Sequence, residues 1–185
     1  VDSIVINKSK YQGSGVGNTT LNDGLTYGNY PFGTRIQDET ISLNVPDVIR
    51  IYGVFESENS SDPTSPSMSL GSMDGPSATT NDLIIGEEIT GKTSGAKAIY
   101  ITRNSDTNIG FIYENSISFE VGEVVTFSQS GVNAIVSSDL SVGNKNITSN
   151  YRFSNGQNLT YYDYSRIIRR SGASEPTRRL KVFFS

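Results

Sequence analysis

The sequence predicts an all-β chain, a discontinuous β-sandwich-like outer domain interrupted by a small β-barrel. Three observations predict it. Apolar and polar residues alternate over short runs, and no segment carries a sustained helical period. Gly, Asn, Ser and Pro clusters separate those runs. A 36-residue internal repeat fills the middle, each copy reading turn, strand, Ser-Gly turn, strand.

Along the chain, Ser3-Ile4-Val5-Ile6 is a short strand, followed by a Gly/Asn-rich stretch at Gly13-Ser14-Gly15-Val16-Gly17-Asn18. That stretch lacks the strand-then-helix context of a dinucleotide-binding turn and reads as a loop. Thr40 to Val45 alternates as a half-buried strand does, Pro46-Asp47 turns the chain, and Val48 to Phe55 is rich in β-formers. Residues 56–82 are polar, Ser-rich and broken by Pro63, Pro66 and Pro76, which predicts a linker or exposed loop.

The repeat comes next. Ile85-Gly86-Glu87-Glu88-Ile89-Thr90 with Ser94-Gly95-Ala96-Lys97-Ala98-Ile99 returns as Val121-Gly122-Glu123-Val124-Val125-Thr126 with Ser130-Gly131-Val132-Asn133-Ala134-Ile135. One such hairpin cannot bury its apolar face alone, so the copies, with the 98–102 and 109–113 strands, are expected to close a barrel over 82–140. The final segment holds Tyr151-Arg152-Phe153, a turn at Asn155-Gly156, the run Tyr161 to Arg170 (a strand or a short helix) and a terminal strand from Arg179 to Phe184. Neither flank has enough strands to stand alone. The expected organisation is therefore 1–70 paired with 141–185, a linker at 71–81, and the barrel at 82–140.

Composition narrows the chemistry. There is no His and no Cys, which removes the usual general base near neutral pH, thiolate chemistry and disulfides. Catalytic residues, cofactor and metal are each expected to be none, and the chain is read as a non-enzyme. Glu87-Glu88 and Glu120/Glu123 have the residue type of a glycoside-hydrolysing carboxylate pair, but they sit at repeat-equivalent turns, where a loop-capping or solvated role is enough. Asn104, Asp106 and Asn108 match no calcium loop and read as a hairpin turn. Residues 141–185 net +6 and the rest nets −10 within a total of −4. An acidic chain disfavours nucleic acid as a partner, and no apolar run reaches the length of a membrane span.

Two surface groups stand out as interface candidates. Tyr161, Tyr162 and Tyr164 surround Asp163, and Tyr pairs a flat apolar ring with a polar tip. Arg166, Arg169, Arg170, Arg178 and Arg179, with Lys181, are the densest cationic group, suited to an acidic subunit surface or a polyanion such as lipopolysaccharide unless they only line a solvated strand face.

The stretch Phe32-Gly33-Thr34-Arg35-Ile36-Gln37-Asp38-Glu39 running into Leu43 to Ser57 resembles virion structural proteins of tailed bacteriophages, in particular the tail and baseplate-associated proteins of contractile-tailed cyanophages. The ending, Asn155-Gly156-Gln157 and then Tyr161-Tyr162-Asp163-Tyr164-Ser165-Arg166-Ile167, is similar too. Ser154 and Asn158-Leu159 depart from the charged residues often found beside that turn. The resemblance implies a tail, baseplate or tail-fibre component assembled in the host bacterial cytoplasm. It further implies a non-enzymatic docking role among other tail proteins, with trimeric or hexameric self-association. The alternative is a module that binds a host-surface carbohydrate or receptor. Since Val1 opens the chain, a piece of a longer polypeptide or a processed product is expected.

Overall fold

The computed structural model describes residues 1–8, 32–74, 78–157 and 162–185. The loop reading of Gly13 to Asn18 and the candidate Tyr161 lie outside them. The described residues are all-β apart from two single-turn 3₁₀ helices. The chain divides into two compact units. One holds Ser65–Gly143, and the other joins Asp2–Thr64 to Asn144–Ser185.

The first unit is a closed six-stranded barrel. Its strands are β4 (Ser67–Gly71), β5 (Glu88–Gly91), β6 (Lys97–Arg103), β7 (Asn108–Tyr113), β8 (Val124–Phe127) and β9 (Asn133–Val136), ordered β4-β7-β6-β5-β8-β9. Closure leaves no open sheet edge. The core is made by inward residues of every strand, among them Met68, Ile89, Ala98, Tyr100, Phe111 and Phe127, all essentially inaccessible. Phe111 packs edge-on against Tyr113 and Phe119 with ring centroids 5.1 and 5.3 Å away, a geometry aromatic quadrupoles favour.

β4 corrects the linker reading of its segment, and the barrel therefore begins well before residue 82. Met68 and Leu70 point into the core while Ser67 and Ser69 flank them. That is a period-2 strand written in small polar residues. Asp139 fixes its outer edge by accepting from the Ser69 amide at 2.8 Å and from the Ser69 hydroxyl.

The registers give the barrel an internal twofold. β5 pairs β8 with Thr90 opposite Thr126, which are the same residue of the two repeats. On the opposite wall Met68 faces Ile109. Leu70 pairs with Val136 as Phe111 pairs with Tyr100, and Val136 is the repeat equivalent of Tyr100. β4 is thus the counterpart of β7, the third strand of the second half, supplied from earlier in the chain.

The second unit contains two sheets. One has the order β1 (Asp2–Ile6), β13 (Leu180–Phe184), β3 (Ile51–Glu56), β10 (Lys145–Asn146); the other has β11 (Tyr151–Ser154), β12 (Arg166–Arg169), β2 (Thr40–Ser42). The pairings between these strands are antiparallel, and an isolated parallel bridge joins Asn7 to Arg35. Val54, Leu180 and Val182 of the first sheet share one core with Ile41, Tyr151 and Ile167 of the second. β12 replaces the short helix allowed for 161–170, because the β-branched pair Ile167-Ile168 is held between β11 and β2. β3 starts three residues later than Val48, after Asp47 with its φ of 57°. A register shift at Phe183/Phe184 lets both rings be buried, so the clean alternation expected of the last strand ends at Val182.

Ser165 ties this unit together. It is fully buried. Its hydroxyl accepts from the Val48 amide and donates to the Asn155 carbonyl, both at 3.0 Å. Ser165→Ala strands one donor and one acceptor, and the expected loss is about 1–3 kcal/mol of unfolding free energy in urea. The Tyr151 hydroxyl is the opposite case: it is buried with no hydrogen-bond partner, the Arg169 guanidinium lying near it but out of bonding geometry. Burial, partly offset by Arg169, pushes this phenol up to about 12. Tyr151→Phe is expected to leave stability unchanged or slightly raised, since no bond is lost. In ultraviolet titration it should also delete the ionisation near pH 12.

Candidate functional site

The carboxylates at the repeat turns have a defined occupation. Glu87, with no exposed surface, accepts from the amides of Gln129 and Ser130 at 2.8 Å each and from the Ser130 hydroxyl at 3.0 Å. Glu123, 5% exposed, accepts from the amides of Thr93 and Ser94 at 3.0 Å and from the Ser94 hydroxyl at 2.8 Å. Each glutamate also accepts the amide three residues before it, that of Ile84 or of Glu120. The two halves of the barrel therefore exchange glutamates, each holding the other half's Ser-Gly turn. Of the two roles the sequence allows, loop-capping and a solvated turn, burial of both side chains leaves the first; that the loop belongs to the other repeat was not legible. Burial works to raise Glu123, but the hydrogen bonds from Glu120, Ser94 and Thr93 outweigh it and leave its pKa lowered.

Two further buried carboxylates behave alike in the two-sheet unit. Asp38 accepts from the amides of Gly33 and Arg35 and pairs with the Arg35 guanidinium at 2.5 Å. Glu56 accepts from the amides of Thr177 and Arg178. Asn104 and Asn108 bond to each other across the β6–β7 turn, and Asp106 pairs with Arg103. Among the described residues, no group of three or more acidic side chains converges as a metal site would require.

The cationic group predicted from sequence is dispersed. Arg166 binds Asp163 at 2.5 Å, Arg169 lies 3.8 Å from Glu175, and Arg179 binds Asp62 at 3.0 Å. Arg178 contributes its backbone amide to Glu56, and Arg170 is exposed. Most of these charges already have internal partners, so they do not form one cationic patch.

The Tyr-rich segment does build a surface feature. Tyr162 and Tyr164 are turned to solvent. Asp163 Oδ1 accepts from the Tyr164 amide at 2.8 Å, and Oδ2 accepts from Arg166 Nη2. These two bonds, the amide first, lower the Asp163 pKa. The ion pair and Tyr164 line a groove of about 180 Å³ together with Phe32, Thr40 and Ser42, and Ser42 stands directly beside Arg166 in the β2–β12 register. A second groove of about 550 Å³ continues past Phe32 and Ser42 along Ile4, Val5 and Asn7. Phe32 escaped the sequence reading because it meets the Tyr-Asp-Tyr segment only through the pairing of β2 with β12.

Comparison with known proteins adds no relative: no family model, no curated protein and no solved structure matches the chain. Among the described residues no helix is long and apolar enough to cross a membrane.

Proposed function

We propose that this chain is a non-enzymatic structural module of a phage tail or baseplate, working through protein–protein docking. The observation that carries the reading is the exposure of large apolar side chains on the two-sheet unit: Ile49 is 85% and Tyr162 79% exposed. Covering such a side chain is worth about 1.5–3 kcal/mol, free energy that a free monomer forgoes and a docked neighbour recovers. The glutamates that a hydrolase reading would need are engaged in holding turns. The resemblance of residues 32–57 and 155–167 to tail proteins supplies the setting.

Gold-labelled antibody against this chain, imaged on phage particles, tests the reading. Label on the baseplate or along the tail is the expected result. Label confined to fibre tips favours receptor binding over docking, and particles without label overturn the reading.

A further inference from the structure

We propose that the groove between Phe32 and Tyr164 is a subsite for a neutral pyranose, with the adjoining groove receiving the next residues of a glycan. The argument rests on what the walls offer. Asp163 and Arg166 form a fixed carboxylate–guanidinium pair, 2.5 Å apart, at the groove surface. Each Asp163 oxygen accepts one internal bond and keeps further lone-pair capacity, while the guanidinium keeps donors that Asp163 does not use. Vicinal sugar hydroxyls each donate and accept, so an acceptor beside a donor is the arrangement they match. Thr40 and Ser42 add two hydroxyls to the lining, that of Ser42 beside Arg166. Tyr164 and Phe32, the latter with one ring face under the Arg35 guanidinium at 4.9 Å, bring aromatic surface to the lining for the C–H face of a pyranose.

Charge selects against an anionic ligand. Arg166 is already paired with Asp163, so an incoming carboxylate or phosphate would meet the Asp163 carboxylate beside the guanidinium and be repelled by it. Size selects as well. At about 180 Å³ the groove is smaller than the roughly 300–1,000 Å³ of sites for drug-sized molecules. It suits one small polar ring, and the 550 Å³ extension gives a chain of such rings somewhere to continue. The site is also pre-formed. Gly156, with φ of 75°, packs so tightly under the carbonyls of Asp163 and Tyr164 that a Cβ would stand 2.5 Å from each. The Asp163 amide donates to the Gly156 carbonyl at 3.0 Å.

Saturation-transfer difference NMR tests this on the full chain with methyl glycosides of glucose, galactose, mannose, rhamnose and N-acetylglucosamine. Glucuronate and inorganic phosphate serve as anionic comparators. The expected result is transfer to at least one neutral glycoside. Tyr164→Ala and Asp163→Asn should reduce its affinity at least tenfold, and Ile49→Ser should leave it unchanged. Silence from every neutral glycoside at about 10 mM, preference for an anion, or binding that survives Tyr164→Ala overturns the proposal. The inference rests on the non-enzymatic reading above, and the two can fail separately. Labelled virions without sugar binding remove only the subsite; sugar binding without virion label removes only the tail assignment.

Discussion

Replacing Glu123 with alanine is expected to destabilise the barrel by about 3–5 kcal/mol, the range for removing one partner of a buried charged network. The substitution orphans the amides of Thr93, Ser94 and Glu120 together with the Ser94 hydroxyl, and water reaches that position poorly. Glu123→Gln keeps the shape but turns an amide donor toward groups that are themselves donors, so it should recover little of the loss. Urea unfolding followed by far-ultraviolet circular dichroism measures both; a change under about 0.5 kcal/mol, the level of an ordinary surface substitution, would mean that the turn is held by something else. The pH dependence has a definite sign. Glu123 binds protons less readily folded than unfolded, so its stabilisation is present above the ordinary glutamate range and disappears as the pH falls through the lower folded value. Asp38 acts in the same direction: burial opposes ionisation, but Arg35 and the amides of Gly33 and Arg35 outweigh it. Acid unfolding of wild type should be steeper than that of Glu123→Gln.

Gly156→Ala is expected to cost about as much by a different route. The position needs a left-handed backbone, and the added methyl would press on two carbonyl oxygens rather than on a movable side chain. Strain of about 1–3 kcal/mol for the conformation then adds to a clash that only backbone movement relieves. Gly33→Ala is the control: its φ is 86° but open space surrounds it, so only the conformational cost remains. The 156 variant should lower the melting temperature markedly more than the 33 variant and should displace Asp163 and Tyr164. Equal shifts for the two would show that the turn gives way freely.

The fold was legible wherever pattern and partner lie close together in sequence. Repeat spacing placed β5, β6, β8 and β9, and the run between Ile109 and Tyr113 placed β7. β4 was hidden because Ser, Pro and Gly dominate its neighbourhood, although Met68 and Leu70 carry the alternation, and because β7 and β9, the strands that need it, lie some forty and sixty residues away. The site divides the same way. Tyr162, Asp163, Tyr164 and Arg166 form a local motif, and their conspicuous chemistry marks them in sequence. Phe32 joins them only through strand pairing more than 120 residues away, and no local signal announces it. Adjacent positive charges suggest a patch in sequence, but Asp163, Glu175 and Asp62 take up Arg166, Arg169 and Arg179 one at a time.

The exchange of glutamates across the barrel twofold bears on how the chain acquires its structure. A half-barrel on its own would hold a turn with two unmet amides and a carboxylate left with only the amide three residues before it. Neither half is then a plausible resting point, and the two must arrive together. Duplication of a hairpin unit normally yields modules that survive being counted up or down. Here the copies have become each other's missing part, so the number two is fixed by chemistry, and neither copy can be lost while the other persists.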